Sequence, residues 1–262
     1  MKRYFSLYFH FFTNCLMRDL EFRFNVLTWA LMNFLWFGLI FYSIELIFGQ
    51  VEKIVGWTKG EVLLLVCVQA LFFDFFNTFV MANLRRFSRL VRQGELDFAL
   101  LKPINSRFLV SARYFEFDHY PRMVFLMFLI ARYLADFQIR LSLINWFNFF
   151  LLFFSGIFIF YNLFFIFATT NIWFIRIFNL SDLFTETIEV GRFPVYIFKT
   201  GARFFFTYII PAAFVATFPV EVLLKRAGFE KLPVALVICL VMFIVSQKFW
   251  QFALKHYQSA SS

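Results

Sequence analysis

Charged residues are scarce in this 262-residue chain, where Asp, Glu, Lys and Arg together make up only 16%. Glycine, proline and cysteine are also rare, with nine, six and three copies. Cys15, Cys67 and Cys239 lie singly in apolar surroundings, so their spacing indicates neither a metal site nor a disulfide framework. Because internal repeats and low-complexity linkers are missing too, we predict a single domain over residues 1–262.

The sequence motifs of several common enzymes are absent as well. The chain contains no Gly-x-x-x-x-Gly-Lys-Ser/Thr loop to bind nucleotide phosphates, no His-Glu-x-x-His and no Gly-x-Ser-x-Gly. His10, His119 and His256 are far apart, and no pair of carboxylates in an apolar stretch stands three or four residues apart. We therefore expect no catalytic residue, no metal site and no enzyme activity in this chain itself.

Apolar residues are what the chain has in excess. Hydrophobic residues make up 62% and aromatic residues 24%, whereas soluble domains are roughly 45–50% apolar. Several apolar runs reach the ~20 residues that a membrane-spanning helix needs, and they are continuous rather than alternating. The sequence therefore predicts an all-α polytopic membrane protein. Its net charge of +9 fits the positive excess of cytoplasmic loops, so we expect no nucleic-acid partner.

The apolar runs predict six transmembrane helices, separated by short polar segments. Their bounds are 25–48, 61–82, 113–135, 145–170, 199–219 and 232–252. Polar residues at near-helical spacing within residues 1–24 predict an amphipathic helix in the membrane interface rather than a further span. Residues 83–112 form a cytoplasmic segment between the second and third spans.

The positions of Lys and Arg indicate the orientation of these spans. With both termini in the cytoplasm, the inner segments hold 18 of the 25 Lys and Arg residues and the outer loops hold 6. The exception is the last outer loop, which carries Lys225, Arg226 and Lys231. If residues 193–218 only dip into the membrane, five spans result and the C-terminus lies outside. We favour six spans with both termini cytoplasmic.

One acidic residue lies deep in a predicted span. A charge in the bilayer costs about 2.5–3.5 kcal/mol, so Asp74 needs a partner or a role. With Asn77 beside it, Asp74 suits a contact on a transport path, as in a secondary transporter or channel. The alternative, which we favour, is a buried ion pair with an arginine of another helix, such as Arg132 or Arg203. A membrane enzyme acting on lipids would need clustered interfacial polar residues, which the sequence does not offer.

The cytoplasmic segment begins with a basic stretch. Four arginines at near-helical spacing suit contact with the anionic headgroups of the membrane surface: Arg85, Arg86, Arg89 and Arg92. Glycine is the preferred residue just past a helix end, so Gly94 predicts that the helix stops there.

The residues after this helix do not suit a lipid surface. Acidic and apolar residues alternate from Glu95 to Phe98, and apolar residues continue to Leu101. A lipid surface would repel the acids and leave the apolar side chains exposed. A short helix docked in a cleft of a soluble partner satisfies both kinds of residue. The predicted docking residues are Gly94, Glu95, Leu96, Asp97, Phe98, Leu100 and Leu101.

Three segments, in the expected order, resemble ABC-2-type transport permeases, in particular a six-span subfamily of largely uncharacterised exporter permeases. Residues 89–105 contain Gly94-Glu-Leu-Asp97 and Leu100-Leu-Lys-Pro103, similar to the cytoplasmic signature of that subfamily. Residues 191–198 resemble its Tyr-Pro segment, with Phe193 in place of the tyrosine. Residues 209–224 resemble its Ile-Pro-x₇-Pro run.

The resemblance implies one half of an exporter. The chain would pair with a second permease, identical or paralogous, above two ATPase subunits that bind ATP and Mg²⁺, and would itself bind no cofactor. Residues 95–101 would be the coupling helix, with the N-terminal helix beside it. The path would run between the permeases, in contact with membrane lipids, and its apolar lining favours an amphipathic cargo. The location implied is the bacterial inner membrane.

Overall fold

The computed structural model describes residues 2–174 and 179–257, and the protein is 79% helical. Residues 1, 175–178 and 258–262, which include the first residue of the predicted interfacial helix and the end of the predicted domain, lie outside the described residues. The α-helices are α1 (Lys2–Glu21), α2 (Arg23–Phe48), α3 (Lys59–Phe76), α4 (Ala82–Arg92), α5 (Leu96–Leu100), α6 (Ser106–Ser111), α7 (Tyr120–Asp136), α8 (Leu143–Thr169), α9 (Leu180–Glu189), α10 (Thr200–Phe204), α11 (Thr217–Leu223) and α12 (Lys231–His256).

Shorter elements join these helices. Two π-helical segments occur at Asn77–Met81 and Phe205–Ile209. Four 3₁₀ turns occur at Thr170–Ile172, Val190–Arg192, Val195–Ile197 and Ala212–Phe214. The strands β1 (Lys53–Ile54) and β2 (Trp57–Thr58) pair antiparallel between α2 and α3. Val55 and Gly56 form the turn of this hairpin with φ of 50° and 79°, the positive values that two-residue hairpin turns favour.

The helix α3 lies at the centre of the fold. Nearly all of its residues from Val62 to Phe76 are buried, and it packs against α2, α7, α8 and α11. Phenylalanine fills much of this core: the ring of Phe76 stacks on Phe184 at 4.5 Å, and that of Phe72 lies edge-on to Phe160 at 5.4 Å. In contrast, α2 and α12 are largely exposed and apolar, so they form much of the outer surface.

The helix that contains α3 continues through the π segment and α4 without a break. It covers Lys59–Arg92, 34 residues, which is roughly 51 Å at 1.5 Å per residue. A bilayer core is about 30 Å thick, so a third or more of this helix extends beyond it. A crossing by this helix would therefore leave room for its basic end outside the hydrocarbon core.

Gly94 ends the long helix with φ of 72°. Its amide donates to the carbonyl of Val91 at 3.3 Å, and the amide of Glu95 donates to the carbonyl of Leu90 at 2.9 Å. These two bonds are the pair that a Schellman motif makes, in which a glycine in the left-handed conformation satisfies the last carbonyls. The chain therefore turns sharply into α5.

Four helices are long and apolar enough to cross a membrane: Arg23–Phe48, Lys59–Arg92, Leu143–Ile172 and Lys231–His256. A fifth crossing results if Thr200–Ile209 and Ala212–Leu223, which bend by 69° around Pro211, count as one span. The remaining predicted span, 113–135, is helical only from Tyr120. The described residues thus support four or five spans by length and composition, and the sixth stays a prediction.

The helix α7 is shorter than expected because the chain before it is extended. Its 17 residues are at the lower limit for a span. Pro121 lies in its first turn, where a missing amide hydrogen costs nothing, so it starts the helix rather than kinking it. Residues 113–117 instead run beside α4, where Asn83 holds them: its Nδ2 donates to the carbonyl of Tyr114, and its Oδ1 accepts from the amides of Arg113 and Tyr114 at 2.8–2.9 Å.

The helix α1 packs on this same extended stretch. The ring of Tyr8 lies edge-on to Phe115 at 5.2 Å, and Asp19 accepts the amide hydrogen of Phe117 at 3.2 Å. Tyr4 contacts the coupling region directly, because its hydroxyl accepts the amide hydrogen of Asn105 at 3.3 Å. The location of α1 in the membrane interface remains a prediction.

Gly156 allows α8 to approach the bent segment closely. A methyl group at this position would lie 2.7 Å from the carbonyl oxygen of Phe214. We expect Gly156→Ala to force the two backbones apart and destabilise the full chain by about 1–3 kcal/mol, as overpacking does. Thermal unfolding of the purified chain in detergent measures this loss. Gly38→Ala, where a methyl group meets nothing within 4 Å, is the matched control.

Candidate coupling segment and intramembrane polar cluster

The predicted coupling segment, residues 83–112, contains α4, then α5 and α6 and the loop between them. Gly94 turns the chain into α5, and the side chain of Asn105 accepts the amide hydrogen of Phe108 at 3.1 Å to start α6. Both helices are too short to be stable alone, since isolated helices need more than ~12 residues. Their packing on the rest of the chain therefore fixes them.

The predicted docking residues divide between two faces of α5. Leu96 is fully buried and Ala99 nearly so, and both belong to the protein's own core. Phe98 and Leu101 are 69% and 81% exposed on the other face. Leu96 is therefore unavailable to a partner, whereas Phe98 and Leu101 form an exposed apolar pair at the tip of the segment. Leu100 is half-buried against the core.

The two acids of the segment also differ. Glu95 is exposed, while Asp97 is half-buried and lies near the C-terminal end of α12. Burial raises the pKa of the Tyr257 hydroxyl, and the negative charge of Asp97 raises that pKa further. Tyr257, the residue directly after α12, therefore lies close to α5, a proximity that the sequence gives no sign of.

The four arginines of α4 fall into two pairs. Arg85 forms an ion pair with Glu116, and the guanidinium of Arg86 stacks 4.2 Å above the ring of Tyr114. Arg89 and Arg92 are exposed. Contact with lipid headgroups thus remains a prediction for Arg89 and Arg92, while the first two arginines hold the extended connection instead.

Asp74 lies in a fully buried polar cluster between α3 and α7. It accepts from Nε of Arg122 at 2.8 Å and also from the second guanidinium nitrogen of that residue. Its other contact is Nδ1 of His119 at 3.0 Å. Because the carboxylate is bonded on both oxygens, it is an interhelical ion pair with none of its surface exposed.

The prediction that Arg132 or Arg203 pairs with Asp74 was wrong. Arg132 lies ten residues beyond Arg122 on α7, roughly 15 Å along the helix, and pairs with Asp136 at 3.4 Å near its end. Arg203 donates to the carbonyl of Tyr196 at 3.0 Å. Asn77 makes a bond within its own helix, to the carbonyl of Phe73 at 3.0 Å.

The polar cluster also reaches α2. Arg122 donates to the carbonyl of Asn33 at 2.5 Å. The side chain of Asn33 lies 3.3 Å from Nδ1 of His119 and 3.4 Å from the carboxylate of Asp118. This network attaches the middle of α2 to the α3–α7 pair, and an ion pair between Glu45 and Lys59 attaches its C-terminal end to α3.

Arg107 is a second buried cation, which sequence reasoning missed. Its guanidinium donates to four neutral side chains of α8 and α12 at 2.7–3.2 Å: Tyr161, Asn162, Ser246 and Gln247. Phe165 lies beneath it at 4.6 Å. The bonds attach α6 to both long helices. The available signal was a lone arginine directly before the apolar run 108–110.

Comparison with known proteins decides the family. The family model described as "ABC-2 family transporter protein" matches residues 34–261, most of the chain. The chain belongs to the ABC-2 transporter family. Proteins of this family are membrane permeases rather than ATPases, and the several long apolar helices agree with a multi-pass membrane protein. Neither a curated protein nor a solved structure matches the chain.

The match confirms the ABC-2 permease family that the three sequence segments indicated, and the role of the coupling residues stays a prediction. Within residues 2–174 and 179–257, no group of three or more His, Cys, Asp or Glu side chains is placed to hold a metal ion.

Proposed function

We propose that this chain is the transmembrane subunit of an ABC exporter, located in a bacterial inner membrane with both termini in the cytoplasm. Separate ATPase subunits, which bind ATP and Mg²⁺, dock on its coupling segment. A second permease, identical or paralogous, completes the translocation path. The observation that carries the proposal is the exposed pair Phe98 and Leu101 at the tip of a segment that is otherwise fixed to the core.

The surface around this pair suits a protein partner. Phe98 and Leu101 are mostly exposed and lie close to the acid Glu95. Anionic lipid headgroups would repel the acid, and exposure of the two apolar side chains to water is unfavourable. A cleft in a soluble subunit can bury both side chains and leave the carboxylate at its polar rim. Family membership supports an ATPase as that subunit.

The attachments of the segment support mechanical coupling. Leu96 anchors α5 in the core, the Schellman turn at Gly94 joins it to the 34-residue helix, and Arg107 joins α6 to α8 and α12. A displacement of the docked tip therefore acts on three long helices at once. The exposed apolar faces of α2 and α12 supply surface for lipid and for the second permease.

The alternative of a secondary transporter has less support. An ion-coupling carboxylate must exchange a proton or cation during each cycle. Asp74 is fully buried and bonded to Arg122 and His119, so release of its partners would leave a buried charge alone. The cluster is better suited to holding helices together.

Affinity purification of the tagged full chain from its own cells tests the proposal. We expect an ATPase with a phosphate-binding loop to co-purify in a near-stoichiometric amount, together with a permease. Mass spectrometry of the complex identifies both. Isolation of a folded permease without any ATPase, under mild detergent conditions in which other ABC complexes stay intact, would contradict the assignment.

A further inference from the structure

A cavity of about 550 Å³ lies where α1 and α2 meet the π segment, α4 and residues 116–119. The volume is in the range of sites for drug-sized ligands. One wall is charged, and the other consists of Phe22, Val26 and Trp29 from the junction of α1 and α2. Trp29 is more than half exposed, so the cavity connects with the outer apolar surface of α2.

The charged wall is balanced. It contains three basic residues, Arg18, Arg85 and Arg86, and three acidic residues, Asp19, Glu116 and Asp118. Two ion pairs are formed within this wall: Arg18 lies 2.8 Å from Asp19, and Arg85 pairs with Glu116. One cation and one anion remain for a ligand.

The remaining cation is Arg86. Its guanidinium is stacked on Tyr114, and no carboxylate of the described residues lies within ion-pair distance. Stacking leaves the nitrogen donors in the plane of the group available, and the fork geometry of arginine suits phosphate or carboxylate.

The remaining anion is Asp118. Its carboxylate has one long hydrogen bond, from Asn33 at 3.4 Å, and lies 3.6 Å from Nε2 of His119. This separation from Nε2 is longer than a hydrogen bond. The carboxylate can therefore accept from an ammonium group.

We propose that this cavity binds a zwitterionic amphiphile. Its acidic group pairs with Arg86, its ammonium group pairs with Asp118, and its apolar part lies along Trp29 toward the bilayer. A wall with no net charge offers little attraction to a headgroup of one sign, which favours a headgroup that carries both. The inference rests on the proposed function and names the substrate class of the exporter.

Native mass spectrometry of the purified full chain measures binding. We expect dimyristoyl phosphatidylethanolamine to bind at least about tenfold more tightly than dimyristoyl phosphatidylglycerol or dimyristoyl trimethylammonium propane, which have the same tails and one charge. Glycerophosphoethanolamine, the headgroup without tails, distinguishes a soluble ligand from a membrane lipid, and we expect it to bind far more weakly. Equal binding of phosphatidylglycerol and phosphatidylethanolamine would overturn the proposal.

Variants of the two unpaired residues locate the site. We expect Arg86→Gln and Asp118→Asn each to weaken binding of phosphatidylethanolamine about tenfold, as loss of a charged hydrogen bond does. Arg86→Lys keeps the charge, and its affinity for phosphatidylethanolamine should lie within a few-fold of that of the wild type. Such a result would show that loss of the charge, rather than misfolding, weakens binding in Arg86→Gln. Arg140→Gln removes an exposed arginine that neither lines the cavity nor belongs to α4, and it should leave binding unchanged. Unchanged binding in folded Arg86→Gln places the lipid elsewhere.

A second readout separates cargo from a structural lipid. In the complex purified with its ATPase subunits, phosphatidylethanolamine should stimulate ATP hydrolysis. Arg86→Gln should remove that stimulation, and Arg140→Gln should retain it. Binding without stimulation would overturn the role as substrate. Because the binding assay needs no ATPase, failure of the cavity inference is distinct from failure of ATPase docking.

Discussion

Asp74→Ala will destabilise the permease more than any other single substitution among those considered for the polar cluster. The change leaves the guanidinium of Arg122 buried without its carboxylate, and breaking a buried pair in this way costs about 3–5 kcal/mol. It also loosens α2, because Arg122 holds the carbonyl of Asn33. Thermal unfolding of the purified full chain in detergent, followed by size-exclusion chromatography, measures the loss.

Two further variants separate the buried charge from a general effect of substitution. Asp136→Ala breaks the exposed pair with Arg132 on the same helix and should cost less than about 1 kcal/mol. The double change Asp74→Leu with Arg122→Met removes both charges at similar volume and should recover most of the stability. If Asp74→Ala unfolds at the same temperature as Asp136→Ala, the ion pair is not a structural element.

Charging the exposed pair on α5 will release the ATPase from the permease. Phe98→Asp with Leu101→Asp places two acids where we propose that an apolar cleft closes. Central aromatic and aliphatic anchors each contribute 2 kcal/mol or more to an interface by truncation, so we expect at least about a hundredfold loss of affinity. Pull-down of the ATPase at graded concentrations with the tagged variant measures it.

The position of the substitution provides the control. Leu143→Asp introduces an acid at an equally exposed leucine, 87% accessible, at the start of α8. In the proposed orientation this residue lies on the opposite side of the membrane, so ATPase binding should be unchanged. Loss of the ATPase in Leu143→Asp would show that the assay reports membrane insertion rather than docking.

The parts of the fold that follow local rules were predictable from the sequence. The glycine after the basic helix end correctly predicted that the helix stops at Gly94, because few other residues adopt a positive φ at low cost. Long apolar runs gave the four long helices. The start of the third predicted span was not predictable, because the extended path of residues 113–117 depends on Asn83, 30 residues away.

Which residues of α5 are buried and which are exposed could be learned only from the structure. In a five-residue helix the sequence does not reveal which apolar side chain turns inward, and Leu96 and Phe98 are equally hydrophobic candidates. The structure separates them because Leu96 meets the core. Likewise, the presence of a partner for Asp74 followed from the cost of a buried charge, but its identity depended on how α3 and α7 pack.

Site-specific photocrosslinking in cells tests the central claim most directly. A benzophenone side chain is introduced singly at Phe98, at Leu101 and, as the buried control, at Ala99. The account predicts that positions 98 and 101 crosslink to one and the same ATPase subunit and that position 99 crosslinks only within the permease. Crosslinks from 98 and 101 to lipid alone, or to no ATPase, would contradict it.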